Sequence, residues 1–370
     1  MSHSSFTLTR RSFSIFGAGA IALGLTACGG GTRPGGAGSG TTAWTLTGGA
    51  EAMFRATFDE WNEKHSDSKI EVEYFSNDSY KEKIRTAIGS GNQPTLVYSW
   101  GNGGTLRDYV KNNKVIDLTG KVDEAASRAL PSVLDAGKID DKIYALPNNN
   151  SQPSMLYINK KLFAEHGATV PTTWDELLAA VDVFKAAGVT PIAVAGSSQW
   201  PYLMWIQYLT DRIGGPEVFQ RVLDGEPDSW SDPAIKEALE KIQELVKAGG
   251  FGSGYGSVVS DASADVALVY TDKAAMILQG SWIYSDFLEA AADWMAEGNL
   301  DVVAFPEVPG GKGDLSNVTG NPANFWSVSA DATEEDQEIA IKFLNEMNLG
   351  ETAIKALIEA GTVPAAANIE

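Results

Sequence analysis

Trp44-Thr45-Leu46-Thr47-Gly48-Gly49 opens the folded part of the chain. The first four residues alternate as a short strand and the glycine pair ends it. Phe54, Phe58 and Trp61 then recur at i, i+4 and i+7, one face of a helix. Ile70, Val72 and Tyr74 alternate as a second strand. Residues 80–88 read as a helix, with Asn77 or Asp78 as its N-cap and Gly89 or Gly91 as its stop. Residues 95–98 form a third strand. Strand–helix–strand–helix–strand predicts a parallel sheet covered by helices. Ligands of such sheets bind outside the carboxyl ends of the strands. Three loops fall there, at 48–51, 76–78 and 100–104.

Further along, Ile143-Tyr144-Ala145-Leu146-Pro147 is followed by the polar run Asn148-Asn149-Asn150-Ser151-Gln152-Pro153 and then by Met155-Leu156-Tyr157-Ile158. A polar stretch between two apolar ones suits a strand crossing between two lobes. Thr173 and Glu176 make a capping box, with Leu177, Val181 and Phe184 as the buried face behind it. A strand at 190–195 opens onto Ser197-Ser198-Gln199-Trp200-Pro201. Asp232-Pro233 starts a helix with proline at its first position, and Ile235, Leu239, Ile242 and Val246 are its expected core stripe. Strands follow at 302–305 and 325–328, and a helix at 335–347. In Lys273–Trp282, KAAMILQGSW, residues 275–278 read as a buried strand stopped by Gly280. Trp282 on the turn after it is either a plug over the core or a platform facing a cleft. No internal repeat or heptad run is present.

The chain has 370 residues, 44% hydrophobic and 21% charged, enough for two lobes of about 150 residues each. Its net charge of −20 argues against nucleic acid or an anionic membrane as partner, since both call for basic patches. Upstream of the fold, Arg10-Arg11 precede an apolar run from Phe13 to Ala27, which describes a secretory signal over 1–27. Thr9-Arg10-Arg11-Ser12-Phe13 suits the twin-arginine route, and ordinary secretion equally. Leu25-Thr26-Ala27-Cys28 is similar to a bacterial lipobox, which implies cleavage before Cys28 and its lipidation. Loss of 1–27 removes Arg10 and Arg11 and no acidic residue, so the mature chain is near −22. Residues 28–41, with the run GGGTRPGGAGSG, are then a lipidated cysteine and flexible tether. Cys28 is the only cysteine, so no disulfide or cysteine metal site is expected. His65 and His166 sit among charges on polar surfaces.

Trp100, Trp200, Trp282 and Phe325-Trp326 stand at strand ends or in Gly/Asn/Ser-rich loops. Interleaved with them are Asn77, Asn102, Asn149, Gln152, Gln199, Asn321 and Asn324. An indole takes the C–H face of a pyranose, and short uncharged partners serve its hydroxyls. The mixture points to a neutral sugar rather than an anion, which asks for arginine clusters. Among the 48 acidic residues none lies in a recognisable catalytic signature, and Walker A, G-x-S-x-G and H-E-x-x-H are absent. Catalysis, a metal and a cofactor are not expected. An amino acid, polyamine or phosphate binder would need a charged anchor in the cleft. A surface-anchored glycoside hydrolase would need a flanking carboxylate pair.

Tyr157-Ile158-Asn159-Lys160-Lys161-Leu162-Phe163, Pro171–Leu177, Gly188–Gly196 and Lys273–Trp282 together resemble the solute-binding proteins of bacterial carbohydrate ABC importers, related in fold to maltose-binding protein. The resemblance covers nearly all of the mature chain. It implies an α/β, two-lobed periplasmic-binding-protein-like fold of class II type. Each lobe is a helix-covered sheet, with the ligand cleft between lobes joined by about three crossings. The expected division is 42–148 with 305–330 for the first lobe, and 149–304 with 331–370 for the second. A narrower resemblance, to actinobacterial lipoproteins that bind xylobiose and longer xylo-oligosaccharides, rests on Ser198–Trp205, Asp211–Glu217 and Gly320–Trp326. Chito- and gluco-oligosaccharide binders are similar alternatives. The strand-end loops, aromatics and amides give an expected ligand set of Gly49, Glu51, Asn77, Trp100, Asn102, Asn149, Gln152, Trp200, Ser281, Trp282, Asn321, Asn324 and Phe325, and the resemblance implies that Trp282 stacks on the sugar. It also implies a lipid-anchored monomer on the outer face of the cell membrane that delivers its ligand to an ABC permease. Relatives continue for several tens of residues past Gly361–Ala365, and this chain stops at Glu370, which suggests a truncated or trimmed second lobe.

Overall fold

The protein is described by a computed structural model for residues 40–100, 104–367 and 369. The secretory signal, Cys28, most of the tether and Asn102 lie outside the described residues.

The first sheet has five strands. Ile70–Phe75, Thr41–Leu46 and Leu96–Ser99 run parallel in that order. Phe325–Val328 joins antiparallel to Leu96–Ser99, and the short strand Leu146–Pro147 closes the edge. Between the parallel strands lie helices Glu51–Lys64 and Asn77–Ser90. The first buries Met53, Phe54, Phe58 and Trp61, the face that the aromatic spacing predicts. The second starts at Asn77, so Ser76 holds the N-cap position, one residue before the expected cap. It stops at Gly91, whose φ of +69° is left-handed backbone that suits glycine.

The second sheet runs Leu300–Val303, Gln152–Asn159, Ala274–Gly280, Thr190–Ala193, with Gly320–Asn321 paired to the start of Gln152–Asn159. Only Thr190–Ala193 and Ala274–Gly280 are parallel neighbours. Side chains alternate between two apolar layers. Leu156, Ile158, Ile192, Met276 and Leu278 meet Trp174, Phe184 and Trp205. Tyr157, Ala193 and Ile277 meet Val269, Ile283 and Phe287. A sheet covered on both faces needs apolar residues at every position, so 274–280 is buried throughout. The capping box forms as expected: the Thr173 hydroxyl accepts from the Glu176 N–H, and the Glu176 carboxylate accepts from the Thr173 N–H.

Helix Pro233–Ala248 departs from its expected stripe. It buries Ala234, Ile235, Ala238 and Leu245, while Leu239 is 50% and Val246 38% exposed. The i, i+4 steps of the stripe drift around the helix. The buried face instead follows the close approach to helix Tyr202–Gly214, where a side chain on Gly214 would come within 2.6 Å of the Ala234 methyl.

The division between lobes also differs from the sequence expectation. Helices Glu334–Met347 and Glu351–Glu359 bury Ala340, Phe343, Leu344, Ala353 and Leu357 in the core of the first sheet, not the second. Phe305 and Val308 belong to the core of the second, where Phe305 stacks on Tyr208 at 4.5 Å. The aromatic faces of helix Glu51–Lys64 require a cover, and Phe343 stacked on Phe58 at 4.6 Å supplies it. The chain therefore passes between the sheets twice, at 148–151 and 322–324, rather than three times. Among the described residues no helix is long and apolar enough to cross a membrane.

Candidate functional site: the cleft between the lobes

Both lobes line one cleft of about 380 Å³, within the ~300–1,000 Å³ usual for small-ligand sites. The first lobe contributes residues 46–50, Ser76, Asn77, Lys81, Tyr98 and Trp100. The crossing segments contribute Asn149, Asn150, Gln152, Asn321 and Asn324. The second lobe contributes Trp200, Leu203, Met204, Gln207, Asp261, Ser263, Asp265, Trp282 and Asp286.

Trp282 is held by its own turn. Its indole folds back over Gly280, where an added Cβ would stand 1.8 Å from ring atom Cζ3. Across the cleft, a Cβ on Gly49 would lie 3.8 Å from the Trp282 Cβ. Glycine at 280 therefore makes room for the ring, and glycine at 49 brings the opposing wall against it. Trp200 meets Trp282 with ring centres 5.8 Å apart and planes at 49°. Its loop is locked by Gln199, a non-glycine residue at φ +61°, and by the Ser198 hydroxyl, which accepts the Ser260 N–H at 3.1 Å. Trp100 stands on the first lobe, edge-on to Tyr80 and Tyr98 at 5.8 and 5.7 Å.

The structure treats the remaining expected ligand residues differently. Asn149, Gln152 and Asn324 reach the cleft floor but serve one another. Asn324 Oδ1 accepts from Asn149 Nδ2 at 2.7 Å and Gln152 Nε2 at 2.5 Å, and the Asn324 backbone N–H donates to Asn149 Oδ1 at 2.9 Å. Asn321 donates to Gln152 Oε1 at 3.4 Å. These amides tie the two crossing segments together. Asn77 lines the cleft and donates to Asp78. Glu51 does not line it. Its carboxylate accepts the Gly48 N–H at 2.9 Å and pairs with Arg55. Ser281 does not line it either: its hydroxyl donates to the Ser151 carbonyl at 3.3 Å, and its N–H to that of Pro153. Phe325 is fully buried among Leu106, Val133, Ala145 and Ala365. Its place in a strand whose neighbour Trp326 fills the opposite core keeps it from the cleft.

The chain belongs to the bacterial extracellular solute-binding protein family. The family's sequence model matches residues 32–349. An uncharacterised ABC transporter extracellular-binding protein of Pyrococcus horikoshii is 26% identical over 74% of this chain and 60% of its own length. A probable sugar-binding periplasmic protein of Rhizobium meliloti is 28% identical over 56% of this chain and 49% of its own. The chain thus spans roughly half to three-fifths of these curated relatives. A structure from work on xylan utilisation by the thermophilic bacterium Caldanaerobius polysaccharolyticus is 30% identical. It superposes with a TM-score of 0.76, covering 89% of this chain and 83% of that one. A chitin oligosaccharide binding protein, 23% identical over 88% of this chain and 82% of its own with a TM-score of 0.73, shares the two-lobed fold.

In this solute-binding protein the charged cleft residues were missed by sequence reasoning. Lys81 sits on helix Asn77–Ser90, Asp265 on helix Ala264–Tyr270 and Asp286 on helix Ile283–Ala290. Isolated charges on helices read as solvated surface, and only packing turns these inward. Asp265 Oδ2 accepts the Gln279 amide at 3.1 Å, and burial raises its carboxyl above the ordinary range. Burial, with Asp265 and Glu289 adding repulsion, pushes Asp286 up to about 6, although it accepts the Ser263 hydroxyl at 3.0 Å. An acid whose pKa rises on folding holds its proton longer folded than unfolded. Stability is then lost as pH climbs from about 4 to about 6. The gap corresponds to up to ~3 kcal/mol. Asp286→Asn is expected to match the parent below pH 4 and to exceed it by up to ~3 kcal/mol above pH 7, measured by urea unfolding. A constant difference across that range would mean that Asp286 carries no uncompensated charge.

Proposed function

We propose that this solute-binding protein captures a short neutral oligosaccharide by closing its lobes and hands it to the transmembrane subunits of an ABC importer. Xylobiose or a longer xylo-oligosaccharide is the favoured ligand. The supporting observation is the convergence of Trp100, Trp200 and Trp282 on one cleft. Indole faces bury the apolar faces of sugar rings, while hydroxyls meet the carboxylates and amides between them. The xylan preference draws on the Ser198–Trp205 and Gly320–Trp326 stretches and on the likeness to the structure from the xylan-utilisation work. Export by the Sec or twin-arginine route and anchoring through Cys28 would hold the protein at the outer face of the cell membrane.

A glycoside hydrolase would flank the scissile bond with two carboxylates. The carboxylates lining the cleft among the described residues, Asp261, Asp265 and Asp286, all come from the second lobe. One wall of acceptors favours binding over cleavage.

A panel of xylobiose to xylotetraose, chito- and gluco-oligosaccharides, read by thermal shift and tryptophan fluorescence, tests the reading. Ligand at a hundredfold over its Kd should add about 2.7 kcal/mol of stability. A shift with another sugar and none with the xylo-series discards the xylan preference. No shift with any sugar discards sugar capture, and released product discards the non-catalytic reading.

A further inference from the structure

We propose that Asp261 is a latch across the cleft, a positioning residue that holds the lobes closed through contacts that need no sugar. The proposal rests on the sugar-capture reading for its purpose, but its geometry is independent of any ligand.

Helix Asn77–Ser90 begins without a side-chain cap from its own lobe. The Ser76 hydroxyl at the N-cap position accepts no backbone N–H and instead donates to the Ser79 hydroxyl at 2.9 Å. The first N–H groups of a helix have no intrahelical partner and carry the positive end of its dipole. Asp261, on the short turn Ser260–Ala262 of the second lobe, fills this gap. Its Oδ2 and Oδ1 lie 3.1 and 3.4 Å from the Asp78 N–H. The turn is fixed to its own lobe by the Ser260–Ser198 and Ser263–Asp286 hydrogen bonds. The carboxylate therefore reaches over from a rigid base.

A second contact crosses at the same place. Lys81, one turn along the helix, puts its ammonium 5.1 Å from the Trp100 ring centre on its own lobe and 5.3 Å from that of Trp200 on the other. Burial pulls the Lys81 pKa down, and Asp78 and Asp261 oppose that pull. Asp261 thus meets the helix end, and its charge favours the cation that bridges the two indoles. Opening the lobes breaks both crossings at once. In the open form the helix end has no protein partner for the Asp78 N–H, and Lys81 keeps only Trp100. Lobe closure gains from contacts that need no sugar, so part of the ligand affinity depends on lobe-to-lobe contacts rather than on contacts to the sugar.

The test measures closure in ligand-free full-length protein, with Cys28→Ser and fluorophores on cysteines introduced at Asp67 and Glu240, exposed positions on the two lobes. Single-molecule energy transfer gives the closed-to-open ratio. Asp261→Ala is expected to lower that ratio two- to fivefold at low salt, the size of an exposed charge at a helix end. Asp261→Asn should lose less. In 1 M salt the difference between the parent and Asp261→Ala should narrow, because the charge part of the contact is screened while the hydrogen bond and any packing contact are not. An unchanged ratio at low salt, or a difference of undiminished size in 1 M salt, overturns the latch, whether or not any sugar binds. Xylobiose added to the same samples separates the two readings. A latch effect with no xylobiose response in the parent leaves the latch standing and counts against the xylan preference. A faster xylobiose release from Asp261→Ala, in step with its altered ratio, supports both.

Discussion

Trp282→Ala is expected to weaken oligosaccharide capture about a hundredfold, with the lobes still folded. A buried aromatic anchor truncated to alanine typically costs 2–4 kcal/mol of binding, and each 1.4 kcal/mol is a factor of ten. Trp282 fits that description. It sits between the Gly49 backbone of the opposite wall and the Trp200 ring, and its own ring rests on Gly280. The same geometry yields a sharper companion variant. Gly280→Ala keeps the indole but places a methyl 1.8 Å from its Cζ3 atom, so the ring must leave its position. If the platform matters through its placement, Gly280→Ala loses most of the affinity that Trp282→Ala loses. If only apolar area matters, Gly280→Ala binds nearly as well as the parent. Calorimetric titration with xylotriose, beside a melting curve for each variant, decides between them. Binding of Trp282→Ala within threefold of the parent would remove the ring from the sugar site.

Strand ends and loop aromatics were legible because their signals are local. Alternation places the ends of the strands at Thr47 and Tyr98, and the residues just past such ends reach the cleft wherever the sheets lie. Gly49, Asn77, Trp100, Trp200 and Trp282 all line it for that reason. The amides were legible as polar residues near the site but not as partners of one another. Asn149 and Asn324 are 175 positions apart, and only the side-by-side path of the two crossings brings them to 2.7 Å. Phe325 shows how little separates the two outcomes. One step along a strand exchanges faces. Trp326 enters the core beside Phe54 at 5.5 Å, and Phe325 turns to the other side. Lys81, Asp265 and Asp286 give no local sign at all, since a charge on a helix means surface until another lobe or helix covers it.

The lobe to which the last helices belong can be read from one substitution. Phe343→Ala should destabilise the protein by about 3–5 kcal/mol, the usual range for removing a buried phenyl ring. The ring is 2% exposed, lies parallel to Phe58 at 4.6 Å and 3°, and meets Trp61 edge-on at 5.6 Å. The cavity left behind would be walled by helix Glu51–Lys64 and by neighbours of helix Glu334–Met347, which have little freedom to collapse. Hydrogen exchange locates the loss. Protection should fall in Thr41–Leu46, Ile70–Phe75 and Leu96–Ser99, whose core the ring completes, and hold in Gln152–Asn159 and Ala274–Gly280. The opposite pattern would return these helices to the second lobe. The expected pattern makes the first lobe discontinuous: strands near residue 41 are finished by a helix nearly three hundred residues later. Contacts of that separation form late, because their loop-closure entropy is lost before packing rewards it. The second lobe, with its sheet strands between Gln152 and Asn321, needs no such return, so Phe343→Ala should speed unfolding of the first lobe, leave its folding rate nearly unchanged, and leave both rates of the second lobe alone.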